Sequence, residues 1–304
     1  MVDLVSANVR ACLQCPQCGS VLRETPDGLD CTGCALAYPR LPRGAVDLRL
    51  RQPRSYDLTF QLGSPFPSRG SPAIEPLKMN PSAEVNFTGV DVPYHMTAEL
   101  RSHVPKARAG NSLMLDLGCG NAVHKGLCEL AGFEWVGADY DDASEASILA
   151  DAHALPFKDA SFECVLTIAS LQLFQNPFVA MQEAQRVLKP GGVLLGTVAF
   201  LEPAAGGFYH HTHRGVLNSL ESAGFTVDVL APSKEWSMLV AQAQMGLFPK
   251  MPAFLSRAIV LPLEVLHKLW WAAGRRVTGN PNAADSVRVM NTTAAFAFVA
   301  RRAA

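Results

Sequence analysis

The sequence predicts an α/β protein built on an open, mainly parallel sheet of seven strands, the last antiparallel, with a small cysteine ribbon ahead of it. Three observations carry this. Residues 111–232 alternate short apolar runs with helical stretches, the pattern of strands joined by crossover helices. An apolar strand at Leu113–Leu117 runs into Gly118-Cys119-Gly120, a turn that lets backbone approach a ligand. Two Cys-x-x-Cys pairs stand near the N-terminus, twelve residues apart.

The 304 residues suit one core domain of about 200 residues plus a smaller module. We divide the chain into a ribbon at 1–50, a linker and pre-core helix at 51–110, and a core at 111–304 with a helical insert at 235–290. The linker is rich in Pro, Ser and Gly. Strands are expected at Ser112–Leu117, Glu134–Ala138, Ile148–Ala150, Cys164–Ile168, Gly192–Val198, Thr226–Leu230 and Ala294–Ala300. Pro177–Leu188 is a helix, with Phe178, Met181, Ala184, Val187 and Leu188 on one face and Pro190-Gly191-Gly192 as its stop. Gly215–Ala223 is a second helix, closed by Gly224.

Hydrophobic residues make up 49% of the chain and charged residues 17%, and the net charge is −1. A near-neutral protein has no overall field drawing it to nucleic acid. The local basic stretch Arg40, Arg43, Arg49, Arg51 and Arg54 reads as a solvated linker face. MVDLVSANVR has no signal-peptide core, and no apolar run reaches the length of a membrane span. Five of the eight cysteines lie within Cys12–Cys34 instead of spreading as a disulfide framework. Together these point to a reducing cytoplasm and to metal ligation.

The metal is zinc on this reading, held by Cys15, Cys18, Cys31 and Cys34. Each pair makes a turn that aims two thiolates at one point. A hairpin through Thr25-Pro26-Asp27-Gly28 brings the pairs together. Four thiolates close a tetrahedral Zn²⁺ site and leave no open position, so the site is structural. Cys12 is a spare thiol. The ribbon should unfold without metal while the core stays folded. The segment CPQCGSVLRETPDGLDCTGCALAYP, followed by Gly44 and Asp47, resembles the zinc ribbons fused ahead of many bacterial methyltransferases.

Beyond the Gly118-x-Gly120 turn, Asp139 ends the second strand, near the offset at which an acid meets a ribose in dinucleotide folds. A carboxylate there can accept from two neighbouring hydroxyls. Asp151-Ala152-His153-Ala154-Leu155-Pro156-Phe157, Ser161-Phe162 and Arg186-Val187-Leu188-Lys189-Pro190-Gly191-Gly192 follow. Across residues 112–200 these segments resemble the class I, type-11-like S-adenosylmethionine-dependent methyltransferases, with their Rossmann-like sheet. The resemblance implies that the turn Asp116, Gly118, Cys119, Gly120 and Asn121 holds the methionine part of S-adenosylmethionine. By the same likeness Asp139 binds the ribose, Tyr140 flanks the adenine, and Asp151 accepts from its amino group. The Ala152 amide lies near the ring, and Ala169 lines the methyl-transfer side.

The chain departs from the family in three places. Ala122 replaces a frequent third glycine, which should crowd the helix start. Asp141–Ser147 leaves no room for a helix between strands two and three. Gln172-Leu173 stands where many members carry a histidine. Base candidates are therefore Tyr209, His210 and His211, with His213 beside them, after strand five. Tyr94 and His95 are candidates for a cofactor lid.

The implied function is methyl transfer to a small-molecule or lipid-like acceptor. One alternative is an RNA methyltransferase that uses the ribbon for recognition; it requires a basic groove between ribbon and core, and the near-neutral charge argues against it. A second alternative is a non-catalytic cofactor-binding scaffold, motivated by Gln172. The apolar insert Trp236–Arg276, with Leu263, Leu266, Trp270 and Ala273 on one face, is expected to pack over the active-site end and wall the acceptor pocket. Pro249, Pro252 and Pro262 should break it into short helices. A membrane-surface helix is its second reading.

Overall fold

The computed structural model describes residues 4–57, 84–90, 95–203, 206–233, 236–278 and 285–304. The chain opens with α1 (Ala7–Cys12), capped by the Ser6 hydroxyl. A three-stranded sheet follows from β1 (Leu22–Thr25), β2 (Gly28–Cys31) and β3 (Ala37–Pro39). The short β4 (Val46–Asp47) and α2 (Ala98–Arg101) precede the core. The core runs β5 (Leu113–Leu117), α3 (Lys125–Leu130), β6 (Glu134–Asp139), β7 (Ile148–Leu149), β8 (Phe162–Ile168), α4 (Pro177–Val187) and β9 (Leu188–Ala199). It continues with α5 (His213–Ser222), β10 (Phe225–Pro232), α6 (Met238–Ala241), α7 (Ala253–Thr278), α8 (Asp285–Thr292) and β11 (Ala295–Arg302).

The main sheet has the order β10-β11-β9-β8-β5-β6-β7-β4. Strand β11 lies antiparallel between β9 and β10, and the rest of the sheet is parallel. All seven expected strands are present, most within two residues of their expected bounds, and the last is the antiparallel one. The eighth strand, β4, comes from the N-terminal region, where Val46 pairs with Ile148 and Asp47 with Leu149.

Local chemistry explains the elements. The central strand β5 is buried along its whole length, as a parallel strand covered on both faces must be. Helix α4 starts where Asn176 accepts from the Val179 N–H and Pro177 occupies the first turn. Its buried face, Ala180, Met181, Ala184 and Val187, joins Phe162, Leu194 and Phe298 in the principal core.

The ribbon belongs to that same core. Val9, Leu13, Leu29 and Tyr38 pack with Phe157, Leu155 and Ile148. Backbone bonds tie the two regions: the Gln14 N–H donates to Pro156 O at 2.9 Å and the Lys158 N–H to Cys12 O at 2.8 Å. The basic stretch is no solvated face either. Arg49 and Arg51 pair with Asp47, and Arg54 donates to Pro16 O at 2.8 Å. Burial alone would raise the Asp47 carboxyl, but the Arg49 hydrogen bonds outweigh it and hold the group below the usual range.

The insert also differs from expectation. Pro262 does not break it, since α7 runs 26 residues straight through. The carbonyl that Pro262 leaves without a donor belongs to Ala258, and both residues are exposed, so water can satisfy it.

Candidate functional site

The C-terminal ends of β5, β6 and β8 open onto a cavity of about 690 Å³. Its wall includes Gly118, Gly120, Asn121, Asp139, Tyr140, Asp151, Ala152 and Ala169, so eight residues expected around the cofactor meet in one place. Asp116 and Cys119 do not line it. Asp116 is buried behind the turn, where its Oδ2 accepts from Trp135 Nε1 at 3.1 Å. Cys119 packs with Ala146 and Leu149 instead, and burial pushes its thiol far up.

The turn does not present a row of free donors. The Gly118 and Cys119 N–H groups point to Ala138 O, at 2.8 and 3.3 Å. The Gly120 N–H donates to Asp139 Oδ2 at 2.8 Å. Helix α3 begins only at Lys125, and the residues between form turns. The turn therefore aims the Asp139 carboxylate, whose Oδ1 also accepts from the Asp141 N–H at 3.0 Å. Each oxygen keeps a second lone pair for a ligand hydroxyl. Gly118 has φ +78°, and a Cβ there would lie 2.3 Å from Ser170 Oγ, so only glycine lets β5 and β8 close at this point.

Asp151 is held by a neighbour that sequence reasoning passed over. Its Oδ1 accepts from the His153 N–H at 2.9 Å and from His153 Nδ1 at 2.6 Å. His153 Nε2 accepts from the Asn176 N–H at 2.9 Å, which fixes the proton on Nδ1. Burial would raise the Asp151 carboxyl, but these bonds outweigh it and keep it ionised. The signal was available: His153 stands in the quoted segment two residues after the acid, at the reach of a local side-chain bond.

Ala169 at φ +53° turns the chain out of β8, anchored by Thr197. Gln172 is buried in a structural role. Its Nε2 donates to Ala169 O at 2.6 Å, its Oε1 accepts from the Ala199 N–H, and its carbonyl receives the Phe208 N–H. It staples the cavity rim to β9.

The three base candidates stand beside that rim, and among the described residues Phe208 alone of the 206–213 stretch reaches the cavity wall. The Tyr209 hydroxyl donates to Gln175 O at 3.2 Å. His210 Nδ1 lies 2.7 Å from Phe200 O and so donates to it. His211 is buried, which lowers its basicity, and its Nε2 has no hydrogen-bond partner among the described residues.

Tyr94 lies outside the described residues. His95 is no lid: it is buried against Trp236, with Glu202 Oε1 3.8 Å from its Nε2. Glu202, which also accepts from Trp236 Nε1 at 2.7 Å, left no signature in the sequence.

No residue of Trp236–Arg276 lines the 690 Å³ cavity. The insert leaves β10 and returns into β11 at the same sheet edge, but the space it encloses, about 510 Å³ among Ser237, Leu263, His267 and Arg288, is separate. Its expected place as the acceptor wall is not what the structure shows.

In the ribbon, the sulfur atoms of Cys15, Cys18, Cys31 and Cys34 all lie within 4.8 Å of one another. The pairs Cys15–Cys34 and Cys18–Cys31 stand 3.7 and 3.4 Å apart. Tetrahedral Zn–S bonds of about 2.3 Å place sulfurs about 3.8 Å apart. Cys31 Sγ accepts from the Gly33 and Cys34 N–H groups, and Tyr38 Oη sits 3.2 Å from Cys15 Sγ. These contacts stabilise thiolate charge. Cys12 stays outside, bonded to Val9 O, and burial pushes its thiol up to about 11.

The ribbon reaches the cavity too. Arg43 donates to the carbonyls of Asp142 and Ser144, and Arg49 pairs with Asp142 and donates to Tyr140 O at 3.1 Å. The Arg49 guanidinium also covers the Tyr140 ring at 5.4 Å. The loop after Asp139 is thus clasped from outside.

Residues 115–196 match the family model described as a methyltransferase domain. That stretch of the chain carries a methyltransferase domain, on the Rossmann-like sheet described above. It is 33% identical over 119 residues to malonyl-[acyl-carrier protein] O-methyltransferase of Erwinia pyrifoliae, covering 34% of this chain and 45% of that protein. It is 33% identical over 130 residues to 27-O-demethylrifamycin SV methyltransferase of Amycolatopsis mediterranei, covering 36% and 47%. The chain thus spans less than half the length of these relatives. Among solved structures, geranyl diphosphate C-methyltransferase of Streptomyces coelicolor superposes with a TM-score of 0.45 at 12% identity, covering 67% of this chain and 76% of that one.

Proposed function

We propose that this protein transfers a methyl group from S-adenosylmethionine to a small-molecule or lipid-like acceptor, and that its ribbon holds one structural zinc ion. The observation that carries the reading is the pair of aimed carboxylates, Asp139 and Asp151, on the wall of one cavity beside the Gly118 turn. The volume of about 690 Å³ suits a cofactor of this size. The residues fit it: Asp139 would bind the ribose hydroxyls, and Asp151 with the Ala152 amide would bind the adenine edge. Tyr140 would flank the ring, and Gly118, Gly120 and Asn121 would hold the methionine part. When bound, the cofactor supplies a methyl group on a sulfonium, already activated for in-line displacement.

The chain's own part is then alignment and exclusion of water. Ala169 and Phe208 lie on the transfer side of the cavity. A base is needed only for an acceptor that must lose a proton. The candidates for that role are Tyr209, His210 and His211, which stand beside the rim without lining the cavity. Of these, His211 has a buried ring whose Nε2 has no hydrogen-bond partner among the described residues, and it would act through a group that reaches the cavity. A His211→Asn variant should then flatten the pH profile of transfer while leaving cofactor affinity unchanged.

The named relatives act on a malonyl-acyl-carrier protein and on a rifamycin, which supports a small organic acceptor over RNA. So does the ribbon–core junction, where Arg49, Arg51 and Arg54 are engaged with Asp47 and Pro16.

Calorimetric titration with S-adenosylhomocysteine tests the site. Asp139→Ala should weaken binding by about 1.5–3 kcal/mol, the range for hydrogen bonds to a charged group. An unchanged dissociation constant would remove Asp139 from the ribose site and overturn the register.

A further inference from the structure

Helix α7 is 26 residues long and rests on the protein along one narrow stripe. Ser256 and Val260 are buried, and Glu264, His267 and Trp271 are half-buried, all within about 80° of arc at 100° per residue. Gly274 continues the stripe, Ala272 is half-buried outside it, and most of the remaining surface is exposed and apolar. Phe254, Ile259, Leu266, Leu269 and Trp270 are 71, 48, 62, 63 and 76% exposed. So large a continuous apolar face marks an interaction surface.

The charges on α7 are ordered. Arg257, Lys268 and Arg275 are exposed, and their spacings of eleven and seven residues stack them in one row beside the apolar arc. Arg276 is a fourth exposed cation. The helix has one acid, Glu264, which lies in the contact stripe and accepts from Ser237 Oγ at 2.6 Å. The outer surface of α7 thus joins a broad apolar arc to cations with no carboxylate among them. A second copy would bring the same cations to the same face, since a two-fold contact pairs identical patches. Among the described residues, no helix is long and apolar enough to cross a membrane, so α7 does not span one.

We propose that α7 is a membrane-surface helix that docks this protein onto an anionic lipid bilayer. The apolar arc enters the acyl boundary, Trp270 sits at the interface, and the Arg257–Lys268–Arg275 row meets lipid phosphate. The proposal does not depend on the methyl-transfer reading.

Co-sedimentation with vesicles tests it, using the full chain. The protein should sediment with phosphatidylglycerol/phosphatidylcholine vesicles at low salt, less at high salt, and not with phosphatidylcholine alone. A triple variant Arg257→Glu, Lys268→Glu, Arg275→Glu should lose at least about tenfold in affinity, as should Leu266→Ser with Trp270→Ser. Both variants should keep the wild-type affinity for S-adenosylhomocysteine if that site is as read, and the wild-type circular dichroism spectrum in any case. Three results would each overturn the proposal. The wild type could fail to sediment with anionic vesicles, or both variants could bind them as well as the wild type does. Sedimentation velocity could instead show a dimer that the Leu266/Trp270 variant dissociates, which would assign the face to a second copy.

Discussion

Ala122 occupies a left-handed turn, φ +53°, three residues before the start of α3. An L-residue there costs about 1–2 kcal/mol against glycine, part of which glycine returns in unfolded-chain entropy. The sequence predicts crowding at a helix start; the structure instead places Ala122 in a turn ahead of α3, where the cost is backbone strain. Ala122→Gly should stabilise the protein by about 0.5–1 kcal/mol, read as a higher urea midpoint at unchanged slope. A lower midpoint would mean that the turn is not strained. Gly118 is the opposite case, since Ser170 leaves no space for a side chain. Gly118→Ala should push β5 and β8 apart at the cavity floor and weaken S-adenosylhomocysteine binding more than it lowers stability; binding at wild-type strength would show that the turn can relax.

Among the elements, the N-terminal ribbon changes most between expectation and structure. As an independent module it would unfold without metal and leave the core as it was. Here β4 extends the main sheet beside β7, and Arg43 and Arg49 hold the loop that follows Asp139. Zinc that holds the four cysteines would therefore help hold one wall of the cofactor cavity. Chelation of the metal should lower S-adenosylhomocysteine affinity about threefold to thirtyfold, the scale of coupling through packed contacts. Arg43→Ala should act in the same direction with zinc retained. Metal analysis and calorimetry on the same samples separate the two. Full affinity in metal-free protein would show that the ribbon is a passenger.

Across the whole molecule, buried imidazoles set the response to acid. Burial lowers the basicity of His95, His103, His211 and His213, and His95 is pushed down to about 4, with His124 adding to the effect. The unfolded chain takes up protons near pH 6.5 and the native chain only at lower pH, so stability is complete above pH 6.5 and is lost as pH falls towards 4. Glu202, raised by burial beside His95, works in the opposite sense as a single group. The melting temperature should fall between pH 7 and pH 5, before the carboxylates titrate. A flat profile over that range would contradict the burial of these rings, and His95→Gln should reduce the slope.

The sequence by itself determined the class of the protein. The strands, the Gly-x-Gly turn with Asp139, and the two Cys-x-x-Cys pairs are written in periodicity and turn chemistry, which act over a few residues. Asp139 and Asp151 lie close along the chain, so their convergence at one sheet edge was legible. The tertiary structure decided what depends on distant partners. A two-residue strand at Val46–Asp47 has no local signature until Ile148 and Leu149 offer it an edge. The arginines after it read as solvated because their partners, Tyr140, Asp142 and Ser144, stand about ninety residues away or more. Helix α7 showed the same limit. Its apolar face looked like core, because hydrophobic periodicity reports that a face seeks cover, and only packing shows whether the protein itself supplies it.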